Sequence, residues 1–241
     1  MTTAEWETIR LGSIASINQS TYSSKEEWQF VNYLDTGNIT MNRVDEIQFI
    51  NISSDKLPSR ARRKVKFNSI IYSTVRPNQL HYGIIKEQPD NFLVSTGFAV
   101  IDVDFEKAVP DYIYYVLTQE GITEHFQAIA EQSVTTYPSI KPSDIENLEL
   151  LLPDKTTQEK IAAVLSSIDE KIKQNNEIND NLSNQSSETL VFSRKIGILI
   201  LVPYVFSLVF ALMSRNKGNF LFRLPRPPYQ AVLRKFVSLP S

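Results

Sequence analysis

The chain has 241 residues, 42% of them hydrophobic, enough for one domain of about 150 residues with its own core and an appendage of roughly 90. It has no cysteine and only two histidines, His81 and His125, in different contexts, which excludes disulfides, a cysteine nucleophile and thiolate zinc sites and leaves no metal-ligand pattern. The formal net charge of −2 conceals a gradient: residues 1–155 hold 14 Lys and Arg against 21 Asp and Glu, 156–193 hold 3 against 6, and 194–241 hold 8 basic residues and no acidic one.

The opening MTTAEWETIR lacks the basic flank and apolar stretch of a secretory signal, so a cytoplasmic location is expected. Short β-branched and aromatic runs follow, punctuated by turn residues: FVNYL before DTGN, IQFINI, KVKFN leading into SIIYSTV, GIIKE, FLVSTGFAVIDV and LELLLP. Between the last two, Tyr112, Tyr115, Val116, Ile122, Phe126 and Ile129 recur at roughly helical spacing, which predicts a helix over 110–129 split at Gly121. After Pro153, Thr156-Thr157-Gln158-Glu159 fits a capping box that opens a second helix. Ile161, Leu165, Ile168, Ile172, Asn175, Asn179 and Leu182 then alternate in steps of four and three, with Val164 and Ile178 widening the stripe. That spacing suits a coiled-coil seam, and equally an amphipathic helix packed on its own domain. The fold class expected is α+β: a mainly β domain with a few helices over 1–153, a long coiled-coil-like helix over 154–190, and an atypical apolar, basic tail over 191–241. Within the tail, Ile196–Met213 is an uncharged stretch flanked by basic residues, which fits either a membrane segment or a frame-shifted read-through.

Arg60, Arg62, Arg63, Lys64 and Lys66 place five basic residues in seven positions of an otherwise acidic domain. Such a cluster can neutralise phosphates and release their counterions, although basic runs are also common on solvated surfaces. Downstream, Ser73, Thr74, Arg76, Asn78 and Gln79 combine the side chains that read base edges, Arg on guanine and Asn or Gln on adenine, in a segment that also passes for an ordinary polar turn. A third polar stretch, 133–141, offers Tyr137 and Lys141 for phosphate contacts. No Gly-rich phosphate loop or catalytic triad pattern is present, and no enzymatic activity is expected of the chain.

Trp6 with Ile9-Arg10-Leu11-Gly12-Ser13-Ile14, then Tyr33 to Ile39, Ser59 to Pro77 and Val94 to Val100 resemble parts of a target-recognition domain of the type I restriction-modification specificity subunits. Ile145 to Leu182, IENLELLLPDKTTQEKIAAVLSSIDEKIKQNNEINDNL, is similar to that family's junction between domain and helix. The resemblance implies a non-catalytic subunit that reads double-stranded DNA and directs methyltransferase (modification) subunits, and with them restriction subunits, to a split site. S-adenosylmethionine, ATP and Mg would then belong to those partners, with no cofactor on this chain. A full subunit of the family resembles two domains and two antiparallel helices, whereas this sequence has one of each. Reading both halves of a site would therefore need a second copy or another half-subunit. The family's helix is expected to stay polar past residue 186, where this chain turns apolar and basic, which leaves open a truncated or decayed subunit without activity. The apolar stretch 196–213 leaves open a membrane-anchored protein with a cytoplasmic β-rich domain.

Overall fold

The computed structural model describes residues 6–132 and 138–185. Tyr137, the tail over 191–241 with its apolar stretch 196–213, and the side chain of Leu182 lie outside the described residues. The strands are β1 (Glu7–Arg10), β2 (Ala15–Ile17), β3 (Phe30–Leu34), β4 (Ile39–Thr40), β5 (Arg43–Val44), β6 (Gln48–Asn51), β7 (Ala61–Lys64), β8 (Ile70–Ser73), β9 (Tyr82–Ile84), β10 (Phe92–Ser95), β11 (Phe98–Val103) and β12 (Glu149–Leu152). The helices are α1 (Pro110–Leu117), α2 (Glu120–Glu131), α3 (Pro142–Glu146) and α4 (Lys155–Gln185). Two compact units meet at Lys171 and Ile172, inside α4.

In the first unit, one four-stranded sheet has the order β6-β3-β10-β7 and another the order β2-β11-β8-β9, while β1 pairs with β12 and β4 with β5. The β3–β10 pair is parallel and the others are antiparallel. Strand alternation explains how the first sheet is buried on both faces. Phe92 and Val94 of β10 join Leu34, Ile39, Ile71, Ile85, Phe98 and Val100 in a core that takes residues from both large sheets. Leu93, between them in sequence, joins Val31, Tyr33, Ile50, Ala61 and Tyr22 on the opposite face, under Trp28. The other face of β8 is covered by α2: Tyr72 meets the Phe126 ring edge-on at 5.4 Å, and its hydroxyl lies 3.4 Å from that of Thr123. Fully burying a ring the size of Phe126 stabilises by about 3 kcal/mol.

The helix expected over 110–129 is divided, but not at Gly121. The break falls at Thr118 and Gln119, and Gly121 lies in the first turn of α2. Thr118 donates its hydroxyl back to the Tyr114 carbonyl at 3.0 Å, and Gln119 is extended, so the backbone leaves the helical path before glycine is reached.

The start of α4 also departs from the expected capping box. Asp154, two residues before Thr156, is the cap: its carboxylate accepts from the Thr157 amide at 3.0 Å and the Thr157 hydroxyl at 2.8 Å. These bonds hold the Asp154 carboxyl below its usual range. Gln158 instead points inward, 3% exposed, donating to the Pro153 carbonyl at 2.9 Å and accepting from the Val109 amide at 3.0 Å. Val109 is the residue on which α1 begins, so this side chain ties one helix start to another.

Farther along, the Tyr115 hydroxyl donates to Asp169 at 2.7 Å, and burial pushes the Asp169 carboxyl above its ordinary value against the lowering effect of that bond. The stripe buried against the domain is therefore Gln158, Ala162 and Leu165, and Asp169, exposed as a residue, is tied to it through Tyr115. The stripe is offset from the expected seam and shares only Leu165 with it. Ile161 and Ile168 are half-buried and Val164 is 52% exposed. In the second unit, Ile172 and Asn179 are half-buried, Asn175 is exposed and Ile178 is 54% exposed. No helix among the described residues is long and apolar enough to cross a membrane.

Candidate nucleic-acid interface

One rim of the β domain collects most of the polar loops, and strand direction accounts for it. The parallel strands β3 and β10 finish together at Leu34 and Ser95, and β7, antiparallel to β10, begins there with Ala61. Thr96 and Gly97 carry the chain into the second sheet, where β11 starts at Phe98 opposite Ser73, the last residue of β8. Tyr82, the first residue of β9, pairs with Tyr72 beside it. The connections 35–38, 58–60, 74–81 and 96–97 consequently emerge side by side.

Hydrogen bonds fix these loops to one another. The Thr96 amide donates to the Arg60 carbonyl at 2.9 Å, and the Thr74 amide and hydroxyl donate to the Gly97 carbonyl at 2.8 and 2.9 Å. A Cβ on Gly97 would stand 2.8 Å from the Thr36 methyl, so the 35–38 loop closes over this point only because the residue is glycine. Beneath lies a polar group: the Tyr33 hydroxyl donates to Asp35 at 2.9 Å, and burial is the main cause that pushes that hydroxyl up to about 12. Burial alone would raise Asp35 as well, but bonds from Tyr33, the Thr36 amide and Ser95, with the Arg60 charge nearby, hold it below the usual carboxylate range.

The expected site residues separate into three groups. Arg60, Arg76, Asn78 and Gln79 are exposed on the rim. Lys141, also exposed, is brought to them by the 138–141 segment, because the Arg76 amide donates to the Pro138 carbonyl at 3.0 Å, the Ile140 amide to the Thr74 carbonyl at 2.9 Å, and Val75 bridges Ser139. Helix α2 supports the same loop through the Asn78 amide, which donates to the Gln127 side chain at 3.3 Å.

Ser73 and Thr74, expected as contacts, serve the loops internally. Ser73 is 2% exposed and donates to the Val75 carbonyl at 2.8 Å, while the Thr74 hydroxyl is committed to Gly97.

The basic cluster does not form one patch. Extended chain carries Lys66 away from Arg60 by on the order of 20 Å. Lys64 is ion-paired with Glu26 and lies over the Trp28 ring at 5.1 Å, and Lys66 stands 3.7 Å from Asp102. Arg62 and Arg63 are half-buried between these ends, and the Arg63 Nε is buried with no hydrogen-bond partner among the described residues. Burial lowers the Arg63 pKa from its ordinary value.

The β4–β5 hairpin, for which the sequence carries no turn signal, stands against the 76–82 loop. Its two-residue tip, Met41-Asn42, carries no glycine, the usual hairpin signal. Among the described residues no cluster of His, Asp and Glu could hold a metal ion.

Comparison with known proteins places this architecture. Residues 3–184 match the family model of the type I restriction modification DNA specificity domain. The HindI specificity subunit of a type I restriction enzyme from Haemophilus influenzae is 32% identical over 179 residues, covering 74% of this chain and 38% of the relative. The HsdS subunit from Thermoanaerobacter tengcongensis shares the fold at a TM-score of 0.60 and 22% identity, over 75% of this chain and 46% of that one. A chain solved in work on complex assembly of the type I R-M system matches at 0.59 and 23% over the same shares. The S subunit from M. genitalium matches at 0.50 and 20%, over 77% and 45%. The chain thus spans less than half the length of each of these relatives. With the match running from β1 through nearly all of α4, this chain belongs to the type I restriction-modification DNA specificity domain family.

Proposed function

We propose that the chain is a sequence-specific DNA-binding specificity subunit that directs a type I adenine methyltransferase, and the restriction subunits associated with it, to a target site. The observation that carries this reading is the rim on which Arg60, Arg76, Asn78, Gln79 and Lys141 converge from three separate segments. Guanidinium and amide groups can pair with base edges in the major groove, and the cations can hold phosphates. Residues 1–153 would be the reading domain and 154–190 the spacer. The outward stripe of Ile161, Val164 and Ile168, continued along the helix by Ile172, Asn175 and Ile178, would form a coiled-coil surface for a second copy or a methyltransferase subunit, with asparagine fixing register. In this reading the chain performs no chemistry, and S-adenosylmethionine, ATP and Mg act on the partners.

Co-expression of the full chain with a type I methyltransferase subunit, followed by mapping of methylated adenines, tests the proposal. One bipartite motif is expected, and Arg76→Ala should change it. Absence of any chain-dependent methylation would sink the reading.

A further inference from the structure

The β4–β5 hairpin carries a conformational cost that its own packing does not explain. Met41 and Asn42 both occupy the left-handed region, at φ 49° and 63°, as a two-residue turn of this hand requires. Asparagine tolerates that region, but methionine does not favour it, and Met41 is 59% exposed, so neither backbone preference nor burial accounts for it. Strain of this kind persists where the surroundings impose it, and here they do. The Met41 amide donates to the carbonyl of Leu80, itself left-handed, at 2.9 Å, and the Asn42 amide donates to the Tyr82 carbonyl at 2.8 Å. The Asn42 side chain accepts from the Ile84 amide at 2.9 Å, and the His81 Nδ1 lies 2.6 Å from the Ile39 carbonyl. A Cβ on Gly83 would stand 2.7 Å from both Asn42 and Ile39, so the ribbon seats directly on the backbone of β9.

The hairpin is therefore pinned to the loop that presents Arg76, Asn78 and Gln79, with its tip exposed. Arg43 pairs across the ribbon with Thr40, whose hydroxyl lies 3.4 Å from His81, and Arg43 is exposed with no carboxylate paired to it among the described residues. The acidic residues nearest in sequence, Asp45 and Glu46, follow beyond the ribbon and are also exposed. A two-stranded ribbon fits the major groove of B-form DNA. There an exposed thioether can pack on a thymine methyl and a guanidinium can pair with guanine.

We propose that the tip of this hairpin, Met41 with Arg43, is a specificity-determining element that reads bases next to those met by Arg76. The inference rests on the DNA-reading function proposed above. Its test is selection of bound sequences from a pool of random 30-base-pair duplexes by the full chain. Met41→Gly, which suits the left-handed turn and so preserves the hairpin, and Arg43→Ala would be compared with Arg76→Ala and the unaltered chain, with thermal melts to verify folding.

The unaltered chain should enrich one motif. The two hairpin variants should lose preference at one or two positions beside those altered by Arg76→Ala, with about tenfold weaker binding to the original motif and little change on unrelated duplex. An unchanged motif and affinity in both hairpin variants, with Arg76→Ala still shifting the motif, overturns the hairpin role and leaves the rim reading standing. A uniform loss on every sequence likewise overturns it, because the hairpin would then only hold phosphates. If the unaltered chain enriches nothing, the rim reading fails and this inference with it.

Discussion

Replacing Gln158 by alanine removes the two hydrogen bonds that join the start of α4 to the start of α1. The Val109 amide and the Pro153 carbonyl are then left without partners in a place where Gln158 itself was 3% exposed. Each orphaned buried group costs about 1–3 kcal/mol, and the better helix propensity of alanine returns only about 0.4 kcal/mol. A net loss of about 2–5 kcal/mol is expected, which for a domain of this size lowers Tm by roughly 5–20 °C. Denaturant unfolding followed by the near-ultraviolet tyrosine signal measures it, because Tyr112, Tyr114 and Tyr115 are buried in α1 beside the lost contact. Gln158→Met separates the contributions: it refills the volume, so its remaining loss reports the hydrogen bonds. A loss under about 0.5 kcal/mol in both variants would show that α4 is held by its apolar contacts alone.

Gly83→Ala should cost about 1–3 kcal/mol by driving a methyl into Asn42 and Ile39, and hydrogen exchange at the Ile84 amide should accelerate as the hairpin lifts; native protection there would contradict the seating described. Lys64→Ala should lower Tm while leaving DNA affinity and its salt dependence unchanged, since its ammonium is engaged by Glu26 and Trp28, and Arg60→Ala should do the reverse. The raised pKa of Asp169 means that its contribution to stability is fully present below the ordinary value of 3.8 and is lost as pH rises through the raised one. Asp169→Asn, which keeps an acceptor for Tyr115, should therefore gain stability over the unaltered chain across that window and hold a constant advantage above it; urea titrations at several pH values would refute this if the difference ran the other way.

Much of the β domain was legible because its strands are short and bounded by turn residues. FVNYL contains β3 and LELLLP contains β12, while IIYS of β8 lies within SIIYSTV. FLVSTGFAVIDV gave no sign that it is two strands in two sheets. Both halves are buried on both faces, and continuous apolarity erases the alternation that would have revealed the corner at Thr96 and Gly97. KVKFN is strand only at Lys64, the last residue of β7, which lies mostly in the basic residues before it. The candidate site was half legible. Arg76, Asn78 and Gln79 share a loop, so their company was visible, but the arrival of Lys141 beside them depends on pairing across more than sixty residues. The basic cluster disperses for a related reason: seven residues of extended chain are long enough to reach from one rim of a sheet toward the other, so closeness in sequence did not become closeness in space.

The pairing of β1 with β12 has an implication for inheritance as well as for folding. Glu7 faces Leu152 and Arg10 faces Glu149, so the backbone leaves the β domain within a strand's width of where it came in. Under the proposed function, every rim residue that would meet a base lies between those two strands, and α4 begins three residues after the second. A cut inside the clasp would let the whole intervening block be exchanged for another with compatible ends, and the helix and whatever docks on it would meet the same two strands as before. Specificity built this way can change by transplantation in one step, without waiting for individual rim residues to mutate in concert.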